Sequence, residues 1–198
     1  MGFLHRSWNT GNLLVLLGTL ALVLTFVWPY LAAERVARIE SWAERISRAL
    51  LQTAERTAVA VDEPDAGTTF LTAIENAGYA DRLSPLAPPE GLDPGIYFEG
   101  KHYYYAVTRA AADEPGAEAP LEVLSWPRSP LGPTRTVFFF PARNKPSYTH
   151  NLRQHYAGLS RVPHAGVARP QVEGDAHNGS YRGRDGEHWI VLPPRGNG

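Results

Sequence analysis

An uncharged stretch near the start of the chain constrains its fold most. No charged residue occurs over the 27 positions 7–33, and residues 12–33 read NLLVLLGTLALVLTFVWPYLAA. Twenty-two helical residues span about 33 Å, close to the roughly 30 Å hydrocarbon core of a bilayer. Trp8 and Trp28 lie at its two edges, where interfacial aromatic residues are common. We therefore predict a transmembrane helix over residues 12–33, after a short head of residues 1–11.

A cleaved signal peptide is the alternative to a retained anchor. The apolar region of a signal peptide usually runs about 7–15 residues and ends in a small-x-small site. Here the apolar stretch is longer, and a charged pattern with helical spacing follows it. These features favour the anchor.

A proline inside the apolar stretch should disturb the helix. Pro29 has no backbone N–H to donate to the carbonyl four residues earlier, and its ring clashes with that carbonyl. We expect the helix to loosen or kink near Thr25, whose hydroxyl could cover the freed carbonyl.

A heptad seam follows the anchor. Its members are spaced alternately by three and four residues: Val36, Ile39, Ala43, Ile46, Leu50, Thr53 and Thr57. This spacing predicts an amphipathic helix over residues 34–61, which Pro64 and the residues just before it would stop. The five members from Val36 to Leu50 form the predicted helix interaction face. In one interpretation its upper half packs on the chain's own sheet. In the other, the half near the membrane pairs with a partner helix.

Strand patterns dominate the rest of the chain, residues 62–198. A short helix at residues 68–77 and a proline-rich stretch precede them. Apolar and aromatic runs then predict four or five antiparallel strands, drawn from residues 96–99, 102–108, 121–126, 134–140 and 188–192. The predicted fold class is α+β, with an N-terminal transmembrane helix that continues into a long amphipathic helix and a small antiparallel β-sheet domain.

This layout resembles that of type IV pilins and pseudopilins. The likeness rests on HYYYAVTR from His102, on the pair LEVLSWP and TRTVFFF, and on the closing run YRGRDGEHWIVLP from Tyr181. The N-terminus departs from the family's pattern, because Gly2-Phe3 imitates the processing site but Ser7 stands where the family has glutamate. The resemblance implies a pilin-like domain in the periplasm, held by a single pass through the bacterial inner (cytoplasmic) membrane.

The flanking charges leave the orientation open. A count of Lys and Arg alone would place the large domain in the cytoplasm, because four arginines follow the anchor and only Arg6 precedes it. However, large C-terminal domains cross membranes largely regardless of charge. We predict that the domain lies outside the cytoplasm.

Catalytic and metal-binding motifs are not found in the sequence. It contains no nucleophile elbow, P-loop, G-x-G-x-x-G or H-E-x-x-H pattern, and no cysteine. A metal site from His150, His155 and His177 would lack the paired spacing of structural zinc ligands. We predict no catalytic residue, no metal and no cofactor. The net charge of −1 argues against nucleic acid as a partner.

Acidic residues near the C-terminus raise a second metal question. They border a glycine-rich loop and are Glu173, Asp175, Asp185 and Glu187. The pseudopilin resemblance suggests calcium there, but the loop lacks oxygen ligands at alternating positions. A solvated turn is the favoured interpretation.

The charge distribution is the other unusual feature. Residues 123–172 contain seven Lys and Arg and no acid, whereas residues 62–122 contain twelve acids against three Lys and Arg. The two halves could face each other and cancel. Alternatively, the basic half binds an acidic partner or anionic headgroups. Residues 143–172 also show little regular structure, which is typical of functional or disordered segments. We predict that this irregular arm docks on a partner through Arg143, Lys145, Tyr148, Arg153, Tyr156, Arg161 and Arg169.

These features together predict a non-enzymatic accessory subunit that bridges or stabilises a larger membrane protein complex, such as a respiratory or photosynthetic one. Its partners would be other subunits, reached through the transmembrane helix and the basic arm, and the lipid bilayer. The alternative is a minor pseudopilin of a type II secretion or type IV pilus system. An enzyme or a small-ligand sensor is a third hypothesis.

Overall fold

The computed structural model describes residues 10–57, 66–76, 78, 83–88, 91–110, 119–171 and 179–193. The chain divides into two compact units, Met1–Arg38 and Ile39–Gly198. Several sequence predictions lie outside the described residues: those on Gly2-Phe3, Ser7, Trp8, Pro64, Glu173, Asp175 and His177.

An apolar helix makes up the described part of the first unit. Helix α1 (Thr10–Leu22) leads through a π-helical segment (Val23–Val27) into α2 (Trp28–Thr57). All side chains over residues 10–35 are exposed. The helix is long and apolar enough to span a membrane. Its π-helical segment includes Thr25, so the predicted loosening upstream of Pro29 is confirmed.

An antiparallel sheet of eight strands forms most of the second unit. The strands are β1 (Leu83–Leu86), β2 (Gly95–Gly100), β3 (Tyr103–Arg109), β4 (Leu121–Pro127), β5 (Val137–Pro141), β6 (Ser147–Thr149), β7 (Ser180–Arg182) and β8 (His188–Val191). They lie in the order β1-β2-β3-β4-β5-β6-β8-β7, and every neighbouring pair is antiparallel. The predicted α+β fold is confirmed.

The sheet is larger than the four or five predicted strands. The additional strands β6 and β7 have three residues each, too few to show an alternating pattern. Strand β1 overlaps the start of the predicted proline-rich stretch and contains Pro85. Pro85 is tolerated because β1 is an edge strand, where a residue without a backbone N–H need not interrupt the hydrogen bonds between strands.

Two helices cover one face of the sheet. Helix α3 (Ala66–Asn76) and the part of α2 within the second unit share one core cluster with the sheet. In this cluster Phe70 stacks on Phe98, with ring centroids 5.9 Å apart. Gly78 follows α3 with a φ of 81°, the left-handed conformation typical of a glycine just beyond the end of a helix.

Residues 150–171 cover the opposite face of the sheet. Tyr156 and Ala168 from this loop lie in a second core cluster with Trp126, Phe139 and Trp189. Because both faces are covered, β4 and β5 are buried at every position instead of at every other one. We call residues 150–171 the covering loop.

Candidate interaction surfaces

The predicted helix interaction face is occupied in large part by the chain's own core. Ala43, Ile46 and Leu50 are buried in the helix-side cluster, and Ile39 packs against it. These four positions agree with the interpretation in which the seam packs on the chain's own sheet. Val36 belongs to the first unit.

Towards the end of α2, the buried residues no longer coincide with the predicted heptad positions. Ala54 is buried, whereas Thr53 is half-buried and Thr57 is exposed. A straight α-helix has 3.6 residues per turn, so its buried side drifts away from a strict seven-residue repeat.

Two polar contacts fix the position of α2 on the sheet. The Ser47 hydroxyl donates to the Ala43 carbonyl at 2.8 Å, and its oxygen lies 3.0 Å from Ser125 Oγ on β4, within hydrogen-bond distance. The Thr136 hydroxyl, just before β5, donates to Glu40 Oε1 at 2.6 Å. The chain therefore joins the domain at the end of the sheet where β4 finishes and β5 begins. We call this the proximal end and the opposite one the distal end.

The exposed cations of the predicted docking arm do not share a surface. Arg143 and Lys145 are exposed in the turn between β5 and β6, which lies at the distal end. Arg153 is exposed and follows β6 at the proximal end. Arg161 is exposed as well. Its carbonyl accepts from Ala157 N–H at 3.1 Å, and the next residue, Gly158, donates to the carbonyl of Pro127 at the end of β4. Arg161 therefore also lies at the proximal end. The four exposed cations therefore form two pairs at opposite ends of the sheet: Arg143 with Lys145 at the distal end, and Arg153 with Arg161 at the proximal end.

The remaining three residues of the predicted arm lie inside the domain. Tyr148 is half-buried on β6 and packs against the helix-side core. Tyr156 is buried in the core cluster on the opposite face. Arg169 is buried and faces the carboxylate of Glu122. Tyr156 and Arg169 hold the covering loop to the sheet, whereas Tyr148 belongs to β6 and the opposite face.

Glu122 is the most deeply buried acid beneath the covering loop. Its Oε1 accepts a hydrogen bond from Gly166 N–H at 2.6 Å, and its Oε2 lies 3.5 Å from Arg169 Nε. Burial raises the pKa of the Glu122 carboxyl, while the Gly166 N–H and the Arg169 charge act in the opposite direction. The covering loop is thus held by a fully buried carboxylate whose charge is balanced from within the loop.

Glu187 holds the start of the covering loop. Its Oε1 accepts from the backbone N–H groups of Arg153 and Gln154, at 2.5 and 2.6 Å, and its Oε2 lies 3.4 Å from the Thr149 hydroxyl. The side chain is buried. The expectation of a solvated turn is therefore wrong for Glu187.

Asp185 has a similar role beside it. Its Oδ1 accepts from the N–H of Glu187 and from Trp189 Nε1–H, at 3.0 and 3.3 Å, and its Oδ2 accepts from the Tyr156 hydroxyl at 3.1 Å. Burial raises the pKa of the Asp185 carboxyl. A Cβ on Gly183 would lie 2.5 Å from Trp189 Nε1, so this turn requires glycine. Within the described ranges, no group of three or more His, Asp or Glu is placed to hold a metal ion.

Polar contacts join the acid-rich and acid-free parts of the chain. Arg128 pairs with Glu99 at 2.6 Å, and His164 lies 3.3 Å from Asp93. Asp93 Oδ2 also accepts from Ala165 N–H at 2.7 Å. Together with the Arg169–Glu122 pair, these contacts support the interpretation in which the two halves balance each other. The covering loop contains no acid, and acids from outside it supply its acceptors.

Three leucines of the sheet domain are exposed, of which Leu131 and Leu152 were not singled out from the sequence. Leu131, Leu152 and Leu159 are 95%, 69% and 44% exposed. A signal was available for Leu131, which lies in the loop sequence SPLGP, where an apolar side chain between two prolines has no strand or helix to bury it.

A long N-terminal helix followed by an antiparallel sheet is a pilin-like architecture. In addition to this architecture, the chain has a polar network beneath the covering loop and three exposed leucines in its sheet domain. No protein-family model, curated protein or solved structure matches the chain.

Proposed function

We propose that this chain is a non-enzymatic, membrane-anchored accessory subunit that bridges or stabilises a larger protein complex of the bacterial inner membrane, with its sheet domain in the periplasm. The observation that carries the proposal is the pairing of an apolar helix, exposed along residues 10–35, with a domain whose buried acids serve its own fold.

The first half of this observation concerns the helix. Its exposed side chains are leucine, valine and phenylalanine over several turns, including Leu16, Leu20 and Phe26. Such a surface is stable in hydrocarbon or against other apolar helices, and in water it would promote aggregation. In a membrane, neighbouring helices pack on such a surface through van der Waals contacts.

The second half concerns the domain. An active site usually gathers titratable groups around a position that substrate can reach. Here Glu122, Asp185 and Glu187 each accept hydrogen bonds from N–H groups of the chain itself. Their carboxylates hold the covering loop, which favours a structural role for the domain.

Purification of the tagged full chain in a mild detergent tests this proposal. Other membrane proteins should co-purify in fixed proportion, and deletion of the gene should reduce the amount of the same complex. An isolated chain in every mild detergent, with the complexes of the deletion strain unchanged, would contradict the proposal.

A minor pseudopilin is the second candidate, and the pilin-like architecture favours it. The two candidates differ at the N-terminus of the mature chain. Processing as a pseudopilin would remove Met1-Gly2 and methylate Phe3. Mass spectrometry of the N-terminal peptide separates the two, since an accessory subunit would not carry a methylated Phe3.

A further inference from the structure

Three exposed leucines lie at one end of the sheet domain. Among the described residues that follow the apolar helix, they are the large apolar side chains left exposed: Leu131, Leu152 and Leu159. Surface leucines that occur singly need no explanation, but three at one end of a domain are a pattern.

The strand register shows that they share the proximal end. Leu131 lies in the loop from β4 to β5. Leu152 follows β6, whose last residue, Thr149, pairs with Val137 at the start of β5. Leu159 follows Gly158, whose N–H donates to the carbonyl of Pro127, the last residue of β4, at 3.0 Å. All three therefore extend from the loops of the proximal end.

Exposed cations lie among these leucines. Arg135 shares the loop of Leu131, Arg153 follows Leu152, and Arg161 is two residues beyond Leu159. Lys101 is exposed in the neighbouring turn between β2 and β3. Each leucine thus has a cation within four residues.

The acids described at the same end are already engaged. Glu99 pairs with Arg128 at 2.6 Å, and Glu40 accepts from the Thr136 hydroxyl at 2.6 Å. Glu187 is buried, and both oxygens of Asp185 accept hydrogen bonds from the chain. None of these four acids is exposed, whereas Lys101 and the three arginines are, so the outward-facing charge of the proximal end is positive.

Few residues separate the second unit from the apolar stretch along the chain. The second unit begins at Ile39, only six residues after Ala33, the last residue of the apolar stretch. Six residues reach at most about 20 Å even when fully extended. If the apolar stretch spans a bilayer, as the proposed function requires, the proximal end stays close to the bilayer surface.

We propose that the proximal end is a lipid-docking surface: Leu131, Leu152 and Leu159 enter the interfacial region of an anionic bilayer, while Lys101, Arg135, Arg153 and Arg161 face lipid phosphates. Apolar side chains surrounded by cations are the usual composition of surfaces that bind anionic membranes. The tether raises the effective concentration of the surface at the membrane, so weak individual contacts suffice. Docking would fix the orientation of the domain relative to the bilayer.

A lipid surface fits these residues better than a protein partner does. The leucines come from three separate loops and are interspersed with Lys and Arg. The core of a protein interface is usually a contiguous apolar patch rich in aromatic residues. None of the three exposed apolar side chains at the proximal end is aromatic.

The absence of cysteine allows a direct test on the full chain. A fluorophore is attached to Leu131→Cys, and in a matched control to Asn144→Cys, which is exposed in the turn at the distal end. Both proteins are reconstituted into nanodiscs that contain phosphatidylglycerol and a lipid-borne quencher. We expect quenching at position 131 and little at position 144.

Charge reversal tests the role of the cations. Arg135→Glu, Arg153→Glu and Arg161→Glu together should abolish quenching at position 131. Arg143→Glu with Lys145→Glu, at the distal end, should leave it unchanged. Replacement of phosphatidylglycerol by phosphatidylcholine should also reduce quenching in the parent protein. Circular dichroism checks that both charge-reversed proteins keep their fold.

This inference rests on the membrane anchor of the proposed function, so flotation of the same samples separates the two. A chain that does not float with lipid contradicts both. A chain that floats, with position 131 quenched no more than position 144, contradicts lipid docking alone. A label that is shielded from aqueous iodide in the purified native complex, yet unaffected by the lipid quencher, would assign the surface to a protein partner and overturn the inference.

Discussion

The guanidinium of Arg169 lies 3.5 Å from the carboxylate of Glu122, and both side chains are buried between the sheet and the loop that covers it. Arg169 lies in the acid-free half of the sequence and Glu122 in the acid-rich half. Removing one partner of a buried ion pair leaves an uncompensated charge and typically costs about 3–5 kcal/mol. We therefore expect Arg169→Met to lower the free energy of unfolding by about that amount, measured by chemical denaturation in detergent.

The loss of stability in Arg169→Met should depend on pH. Burial raises the folded-state pKa of the Glu122 carboxyl, and loss of the Arg169 charge raises it further. The folded state then holds a proton that the unfolded state releases, so stability is kept at low pH and lost as the pH rises through the raised pKa. The difference in Tm between variant and parent should be larger at pH 8 than at pH 5. Arg161→Met, an exposed site, is the control, and Glu122→Gln should partly rescue Arg169→Met.

The second prediction concerns the register of α2 on the sheet. A strict heptad would bury Thr57, whereas the structure buries Ala54 and exposes Thr57. Ala54→Asp should therefore destabilise the domain by several kcal/mol, in the range typical of a charge placed in a core, about 3 kcal/mol or more. Thr57→Asp should have little effect. A larger loss of thermal stability in Thr57→Asp than in Ala54→Asp would show that the helix keeps the heptad register.

The same prediction extends to the middle of the helix. Ile46 is in the helix-side core, and Arg38 is exposed beside Glu34 at 2.8 Å. Ile46→Asp should reduce the Tm strongly. Arg38→Asp removes only an exposed i,i+4 pair, worth about 0.3–0.5 kcal/mol. If both variants unfold alike, the helix does not pack as described.

The sequence predicted the α+β fold because its strongest signals are long and local. The 22-residue uncharged stretch is long enough to predict a membrane-spanning helix, and the runs from Tyr103 and Val137 are identified as strands by their β-branched and aromatic residues. Strands β6 and β7 give no such signal, since they have three residues each and are defined by pairing with β5 and β8. Their formation depends on tertiary contacts.

The covering loop shows where sequence reasoning about the surface reached its limit. Its cations and lack of acid indicated an outward-facing arm, but the sequence does not show which acceptors fold beneath it. Glu122 and Glu187 lie 44 and 34 residues from the backbone groups of Gly166 and Arg153 that they hold. Pairing over such distances is specified by the fold. Arg153 and Arg161 are exposed on the covering loop, so a contact between these two cations and a partner stays a prediction.

The third prediction concerns the apolar helix. Spanning a bilayer requires an uninterrupted apolar stretch, and a Lys near its centre costs about 2.5–3.5 kcal/mol on insertion scales. The full chain should stay in the membrane pellet during alkaline carbonate extraction. Leu16→Lys with Leu20→Lys should release part of it, and the matched pair Leu16→Met with Leu20→Met should not. Release of a shortened parent chain would identify the stretch as a signal peptide.

The last prediction concerns the attachment of the covering loop by Glu187. Its carboxylate accepts from the N–H groups of Arg153 and Gln154, and hydrogen bonds to a charged group contribute about 1.5–3 kcal/mol each. Glu187→Ala would leave both donors unsatisfied at the start of the covering loop. We expect the loop to open locally while the sheet stays folded, so trypsin should cut after Arg153 and Arg161 much faster than in the parent. Glu187→Gln keeps an acceptor oxygen in place and should show an intermediate rate. Mass spectrometry of a digestion time course measures both cleavages. If Glu187→Ala is cut no faster than the parent at these sites, its carboxylate does not hold the loop. If cleavage spreads over the whole domain, Glu187 stabilises the entire fold, and the covering loop cannot open by itself.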